Sequence, residues 1–396
     1  MQMSLKFDEK ESVPEKNSAK KNVWDKRNPV EQNSYFWNKE VVISGKFKEL
    51  KNKPVVVELF CGCGGTSLGF EMAGYQVAIG SDIHAPSIET FRLNHPNSAT
   101  ILGDVNYVKA DNIKEILNGT DIDVMIAGVP CQGFSLNNRK RHLNDKRNYL
   151  YFEFARLIKE LKPKCVVLEN VSGMKSSGNF ISDIERDLGE AGNMVVKSKL
   201  LYAPDYGVPQ KRNRMVFVGI RDKIFDFKDI IKTHGPEVNI EYNTIKDAIG
   251  DLPSLGIKEA KFNYKSKPIS DYQKLMRKNS PKKLSNHNSP NHPKETIERI
   301  KNTKPGDPMY SNFKQRIRLS WDILSPTQVC GGIRPQFQFS HPQDPRGLTI
   351  RERCRIQSFP DNFHVSGGTV QGRVQTGNAV PPLLAKAIAL AIKKYI

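Results

Sequence analysis

The chain has 396 residues, 38% of them hydrophobic and 26% charged, which is length enough for two domains and apolar content enough for ordinary cores. Its formal net charge of +19 predicts attraction to polyanions, phosphate backbones first among them. No apolar run approaches a membrane span, the N-terminus has no apolar signal region, and the six cysteines show no repeated paired spacing, so a membrane protein, a secreted disulfide scaffold and a zinc site are set aside in favour of a soluble cytoplasmic protein without metal.

Residues 1–50 are polar and mixed in charge, with no periodic apolar order, and are expected to form a disordered basic arm. Trp24, Tyr35, Phe36 and Trp37 are the exceptions that would dock it onto the body. Residues 54–60 read as a buried strand, followed by Cys61, Gly62, Cys63, Gly64 and Gly65 and then a helix to residue 74. Strand, glycine turn and helix together bring backbone amides to a ligand. A dinucleotide fingerprint would need a further glycine at position 67, which is Ser67, so the pattern suits a nucleoside without a pyrophosphate. The next strand, 76–80, leads to Asp82, about 20 residues past the turn, where a ribose hydroxyl pair is usually held. The same carboxylate would also serve as a cap for a helix starting near Pro86. A third strand, 99–102, ends before Asp104, so Phe60, Asp82 and Asp104 are aimed at one rim.

Within residues 123–135 a short apolar run reads as another buried strand, with the loop from Gly128 through Pro130 and Cys131 to Gly133 at its carboxyl end. A lone cysteine after a strand is more often a packing residue than a nucleophile. Both readings stay open on the residues of this loop alone. Residues 137–147 are basic, polar and too long for an ordinary connector, the pattern of a mobile lid. A helix is expected over 149–161, then a strand over 164–171 carrying Glu169, a carboxylate that fits a helix cap or a proton donor. Strands over 194–202 and 215–220 flank a segment in which Arg212 and Arg214 alternate, so that an extended backbone puts them on one face, as a phosphate or carbonyl site or as two surface arginines.

From about 230 to 370 the βα alternation stops. Residues 258–304 hold 13 Lys or Arg against 4 Asp or Glu, with Tyr264 and Tyr272 interleaved, as a nucleic-acid surface would allow. Residues 320–332 read as loops around a short strand, and 352–359 as a short helix stopped by Pro360. Residues 374–382 are expected to open a helix running to the C-terminus, whose wide apolar face returns it to the first domain. The expected division is an arm at 1–50, a catalytic and cofactor domain of 51–228 plus 372–396, and a target-recognition domain of 229–371.

Taken together, Phe60 with Gly62, Gly64 and Gly65, then Pro130-Cys131-Gln132, Glu169-Asn170-Val171, Gln210 with Arg212 and Arg214, Arg351-Glu352 with Gln357-Ser358-Phe359-Pro360, and Gly377-Asn378-Ala379-Val380 give a family resemblance. The chain resembles the DNA (cytosine-5) methyltransferases that use S-adenosylmethionine, most of all the bacterial restriction-modification enzymes. The resemblance implies an α/β Rossmann-like methyltransferase fold with a mixed sheet and a smaller, irregular recognition domain. It makes Cys131 the nucleophile, with Glu169 at ring N3 and the exocyclic amine, Arg214 at the pyrimidine O2 and Arg212 in support. It implies a cofactor site built from Phe60, Cys61, Gly62 and Gly65, with Asp82 on the ribose, Ile83 and Val105 flanking the adenine, Asp104 on its amine, and Pro130, Leu150, Asn378 and Val380 completing the pocket. Cys61 departs from the family's usual alanine. The implied partners are double-stranded DNA, bound with its target base flipped out, and functionally a restriction endonuclease; the chain is expected to be a monomer associated with the nucleoid through DNA. A transfer-RNA cytosine-5 methyltransferase is the rival within the family, but its usual Cys-Phe-Thr signature is absent. A non-catalytic DNA-binding scaffold would not need Cys131, Glu169 and Arg214, and a nicotinamide dehydrogenase is opposed by Ser67.

Overall fold

Short runs of β-branched residues alternating with amphipathic segments build the first half of the chain, and the computed structural model describes residues 40–130, 150–176, 179–330 and 338–396. Cys131, the lid at 137–147, Trp24, Tyr35, Phe36, Trp37, Gly331 and Gly332 lie outside the described residues. In chain order the elements are β1 (Val42–Ser44), β2 (Val55–Leu59), α1 (Gly65–Met72), β3 (Gln76–Asp82), α2 (Ala85–Asn94), β4 (Ala99–Leu102), α3 (Ala110–Leu117), β5 (Val124–Gly128), α4 (Tyr151–Leu161), β6 (Cys165–Val171), α5 (Phe180–Gly192), β7 (Val195–Tyr202), β8 (Gln210–Lys211) and β9 (Asn213–Ile220). The second half adds α6 (Ile245–Ile249), α7 (Asp271–Met276), α8 (Lys294–Asn302), β10 (Ile317–Arg318), β11 (Ser325–Pro326), β12 (Phe339–Ser340), α9 (Ile350–Ile356), α10 (Gly368–Asn378) and α11 (Pro382–Ile392).

The main sheet has eight strands in the order β1-β4-β3-β2-β5-β6-β9-β7. Its centre, from β4 to β6, is parallel, while β9, β7 and β1 run antiparallel to their neighbours. The chain winds outward from β2 to β4 on one side and from β5 on the other, so the strand order reverses between β2 and β5. A crevice opens at the carboxyl ends of the strands where such a reversal falls, and ligands bind there.

Side-chain alternation sorts the sheet into two cores. Val55, Val57, Leu59, Met125, Ala127, Val166 and Leu168 pack with Ile113 of α3, Phe154 and Leu157 of α4, and Leu188 of α5. On the other face Val56, Val124, Ile126, Val167 and Val218 meet Phe70 of α1 and Leu384, Ile388 and Ile392 of α11. Each fully buried side chain of this size is worth about 1.5–3 kcal/mol of transfer free energy. The apolar face of the C-terminal helix thus covers the sheet, as expected.

Three expectations are corrected. Residues 42–44 do not belong to a detached arm: β1 pairs with β4 through Val42↔Leu102 and Ile43↔Ile101, and the Leu50 N–H donates to Gln76 Oε1 at 2.6 Å. The strand closes an edge that would otherwise leave β4 with unpaired backbone groups. The last β-strand of the sheet begins at Asn213, not at 215, because β6 and β7 flank it through Val171↔Arg214 and Tyr202↔Asn213. Residues 374–378 do not open the C-terminal helix but finish α10; Pro381 has no N–H to donate and forces Val380 out of the helical region, so α11 starts afresh at Pro382.

The second half has a small apolar core, in which Ile245, Ile249, Tyr272, Met276, Leu319, Phe339 and Ile356 meet. Much of its interior is ionic. Arg355 donates to Asp361 at 2.6 and 2.7 Å and to Asp251 at 3.3 Å, and Arg346 donates to Glu352 at 2.7 Å and Asp344 at 2.8 Å. A capping box between Thr349 and Glu352 starts α9, and all of α9 is buried despite its charged sequence. Its far side packs on the glycine turn, where Cys63 joins Ile350, Cys354, Phe359 and Phe363.

Candidate active site

Phe60, the first residue after β2, has a φ of 54°, and Gly62 and Gly64 continue in the left-handed region at 52° and 89°. This reversal turns the chain from strand into helix within a few residues. Two bonds lock it to the next strand: the Cys61 N–H donates to the Ser81 carbonyl at 2.9 Å and the Gly62 N–H to Asp82 Oδ2 at 2.8 Å. Gly65 has to be glycine, since a Cβ there would drive into the carbonyl oxygen of Val380. The turn is therefore seated against the segment after α10, with Gly65 packed on the Val380 backbone.

Asp82 resolves the choice between cap and ligand in a mixed way. Its Oδ1 accepts from the His84 N–H at 2.8 Å, so it does brace the approach to α2 while holding the glycine turn. Burial pushes its carboxyl above the ordinary range, opposed by those two N–H donors. An ionised carboxylate has about four acceptor sites, and two remain for a ligand such as a pair of ribose hydroxyls. Asp104, on the neighbouring strand end, accepts from Asn106 N–H at 3.0 Å and Asn106 Nδ2 at 2.7 Å through Oδ1, which leaves Oδ2 without a partner among the described residues. Val105 is buried beside it and Ile83 is half-buried. A Cβ on Gly62 would meet nothing within 4 Å among the described residues, which leaves the rim above the turn uncovered by them. Open space over a left-handed glycine, flanked by two strand-end carboxylates with unspent acceptors, fits S-adenosylmethionine, the nucleoside the resemblance implies.

Across the β2–β5 crevice, β5 ends at Gly128, where a Cβ would lie 3.4 Å from the Phe60 carbonyl oxygen and 3.9 Å from Glu169 Oε2. Val129 and Pro130 carry the chain on to position 131. Asn170 Nδ2 donates to the Val129 carbonyl at 3.4 Å and so ties this exit to β6. Glu169 stands at the register position opposite Gly128 and forms an ion pair with Arg214 of β9. Both side chains are about a tenth exposed, at 13% and 10%. Burial pulls the Arg214 guanidinium below its usual range while the Glu169 charge holds it up. Leu150, at the start of α4, packs against the sheet-side core from the far end of the 131–149 segment.

Arg212 does not share the role of Arg214. It is fully buried and spends its guanidinium on carbonyls, of Gln328 at 3.0 Å, Gly377 at 3.0 Å and Ala379 at 2.9 Å. It acts on the site through the 377–379 turn, which carries the exposed Asn378 and the buried Val380. Burial first, and then the neighbouring Arg214 charge, hold Arg212 well below the ordinary arginine range.

Two groups escaped the reading of the sequence. Glu58 is buried beneath the turn, where Oε2 accepts from the Ser67 N–H at 3.0 Å and from the Ser67 hydroxyl. Burial raises its pKa to about 7 against those donors. A carboxylate inside the apolar run 55–59 was the available signal, and Ser67 was read only as a missing glycine. Gln328, buried in the second half of the chain, offers its carbonyl to Arg212, and nothing in its local sequence marks it. Among the described residues no group of three or more His, Cys, Asp or Glu side chains is placed to hold a metal ion, and no helix is long and apolar enough to cross a membrane.

Residues 55–394 match the family described as C-5 cytosine-specific DNA methylase. Type II methyltransferase M1.HphI of Haemophilus parahaemolyticus is 34% identical over 358 residues, covering 85% of this chain and 86% of that protein. Type II methyltransferase M.DdeI of Desulfomicrobium norvegicum is 34% identical over 373 residues, covering 86% of this chain and 88% of its own length. The crystal structure of a DNA modification methyltransferase encoded within an E. coli prophage superposes with a TM-score of 0.72 at 28% identity, over 86% of this chain and 99% of that one. The Dnmt2 methyltransferase of S. pombe shares the fold, with a TM-score of 0.58 at 15% identity over 86% of this chain and 99% of its own.

Proposed function

Because the chain belongs to the C-5 cytosine-specific DNA methylases, we propose that it methylates C5 of one cytosine within a specific sequence of double-stranded DNA, with Cys131 as the covalent nucleophile and S-adenosylmethionine as methyl donor. The observation that carries this reading is the Glu169–Arg214 pair beside Gly128, at the end of the strand that leads into Cys131.

C5 of cytosine is a weak nucleophile and needs help. Addition of the Cys131 thiolate to C6 forms an S–C6 bond and shifts the ring electrons to C5, making the ring enamine-like. Glu169 hydrogen bonds N3 and the exocyclic amine, offsetting charge as it develops, and Arg214 holds O2. The bound cofactor supplies an electrophilic methyl group on a sulfonium. After transfer the C5 proton leaves to a base, the ring electrons return, and the S–C6 bond breaks to free Cys131. Phe60, Cys61, Gly62, Gly65, Asp82, Ile83, Asp104, Val105, Pro130, Leu150, Asn378 and Val380 hold the cofactor in this reading, and Arg212 fixes the turn that carries Asn378. The target base leaves the duplex to reach the crevice, at a cost of a few kcal/mol.

Base recognition falls to 229–371, and catalysis and cofactor binding to 51–228 with 372–396. The lysine-rich 258–304 stretch supplies electrostatic attraction to the backbone. Two relatives carry the name Type II methyltransferase, which supports a host-protective role beside a restriction endonuclease. The test is transfer of labelled methyl from S-adenosylmethionine to mixed-sequence duplex DNA and to transfer RNA, with Cys131→Ser alongside. Label on duplex cytosine that vanishes in the variant is the expected result, and label on RNA alone, or on DNA in both proteins, overturns the reading.

A further inference from the structure

The buried arginines of the second half fall into two kinds. Arg346 and Arg355 are each matched to two carboxylates, Asp344 with Glu352 and Asp251 with Asp361. Arg351 is satisfied by backbone and hydroxyl oxygens of Ser285 and by the carbonyls of Pro360 and Phe363. Arg373 of α10 is different. It is half-buried, yet its guanidinium has no hydrogen-bond or ion-pair partner among the described residues.

Its neighbours deepen the imbalance. Arg353 lies behind it, 4% exposed, and reaches Thr376 Oγ1 at 2.9 Å, the Val329 carbonyl at 3.2 Å and the Arg373 carbonyl at 3.4 Å, with no carboxylate. The two guanidinium charges repel each other, and burial disfavours both. His292 adds no compensating charge, because its Nε2 accepts from the Gly347 N–H at 2.9 Å and burial beside Arg373 keeps the ring neutral. Arg353, taken out of water, and Arg373, half out of it, are both favoured by an anion beside them. Arg373 also retains contact with solvent, so an anion can arrive from outside.

We propose that Arg373, backed by Arg353, is a phosphodiester-binding site through which α10 grips the backbone of duplex DNA. The site rests on the reading of DNA as substrate. A guanidinium pairs with phosphate bidentately, and phosphate contacts fix register without reading sequence. Arg373 lies five residues before Asn378 on the same helix, about 7.5 Å along its axis and about 140° around it, so a phosphate gripped there would fix the helix that ends at Asn378. The net charge of +19 is what a polyanion partner requires, whereas a single small anion would not.

The experiment is duplex binding by the full chain across roughly 50 to 200 mM salt, for wild type, Arg373→Gln and Arg373→Lys, with S-adenosylmethionine affinity measured on each. Arg373→Gln should weaken binding about tenfold and reduce the slope of log affinity against log salt by about 0.9. Arg373→Lys should keep the slope, and all three proteins should bind the cofactor equally. A methylphosphonate scanned along the duplex should weaken wild type at one phosphate to which Arg373→Gln is indifferent, which separates a lost contact from a misfolded variant. An unchanged slope and affinity in Arg373→Gln overturn the site while leaving the function intact. Lost cofactor binding with DNA binding unaltered overturns it in favour of the cofactor carboxylate. Wild type that binds no duplex overturns the functional reading, and the site falls with it.

Discussion

Replacing Glu58 by Gln isolates a buried proton beneath the cofactor turn. The native carboxyl has its pKa raised from 4.5 to about 7 by burial, opposed by donors from Ser67 and Thr66 and by the charge of His95. In the unfolded chain the same group titrates near its ordinary value. Between those two pH values the folded protein holds a proton that the unfolded chain has lost, so the contribution to stability is complete below about 4.5 and disappears as pH rises through about 7. The difference is worth about 3 kcal/mol, at 1.36 kcal/mol for each pH unit separating the two values. Gln keeps the shape and the acceptor that Ser67 uses, but has no charge to desolvate. Urea unfolding at fixed ionic strength should therefore show the variant close to wild type at pH 5 and more stable by up to about 3 kcal/mol at pH 8. A difference between the two proteins that stays constant from pH 5 to 8 would refute the reasoning, because it would mean that Glu58 is ionised throughout and held by its donors.

Glu169→Gln should leave duplex affinity within a few-fold and lower methyl transfer by about a hundredfold or more, read from labelled product and anisotropy on the same preparation. Arg355→Met removes the cation that buried Asp251 and Asp361 share, leaving Arg277 at 3.2 Å from the first and Arg351 at 3.8 Å from the second, and the loss should be about 3 kcal/mol in urea unfolding. Gly65→Ala puts a methyl group against the Val380 carbonyl, whose neighbour Ala379 is clasped by Arg212; about 1–3 kcal/mol of stability should go. Calorimetric titration should show the same variant binding S-adenosylmethionine more than tenfold weaker, and full retention of affinity would mean that the turn yields elsewhere.

The parallel centre of the sheet was legible because its strands are short apolar runs closed by glycine, proline or acid. The run 124–128 is fully apolar and its alternate residues face two different helix layers, which is the signature of a strand buried on both sides. The positions of Phe60, Asp82, Asp104 and Glu169 at one edge follow from that reading, since each stands at or just past a strand end. What could not be read is whatever depends on residues far apart in sequence. Arg212 and Arg214 look alike in the sequence; only the arrival of Gln328 and of residues 377–379 makes one a clasp and leaves the other to Glu169. The helix 350–356 carries charge on most of its positions, a pattern that does not announce burial, but Asp251 and Asp361 come from other segments to meet its Arg355, and Arg346 to meet its Glu352. The strand at 42–44 has too few residues for a period to show, and its existence depends on the open edge of β4.

These long-range contacts also join the two halves of the chain mechanically. β11, at the start of the 325–330 segment, pairs with β8 through Ser325↔Gln210 and Pro326↔Lys211, and β8 runs directly into Arg212 and Arg214. Gln210 Oε1 accepts from the Gln328 N–H at 3.1 Å, and the Gln328 carbonyl in turn accepts from Arg212 at 3.0 Å. A Cβ on Gly377 would strike the Val329 and Cys330 backbone, so the end of α10 is pressed against the same segment. Moving 325–330 therefore disturbs Arg212, and through it both the 377–379 turn on the cofactor side and the strand that aims Arg214 at Glu169. A buried guanidinium held at its two terminal nitrogens by backbone carbonyls tolerates little displacement, because each carbonyl lost leaves a buried donor unmet at about 1–3 kcal/mol. The geometry of the crevice is thus set by how the second half seats on the first, and a chain expressed without residues 229–371 would lack the contacts to Gln328 and the 329–330 backbone that brace Arg212 and the end of α10.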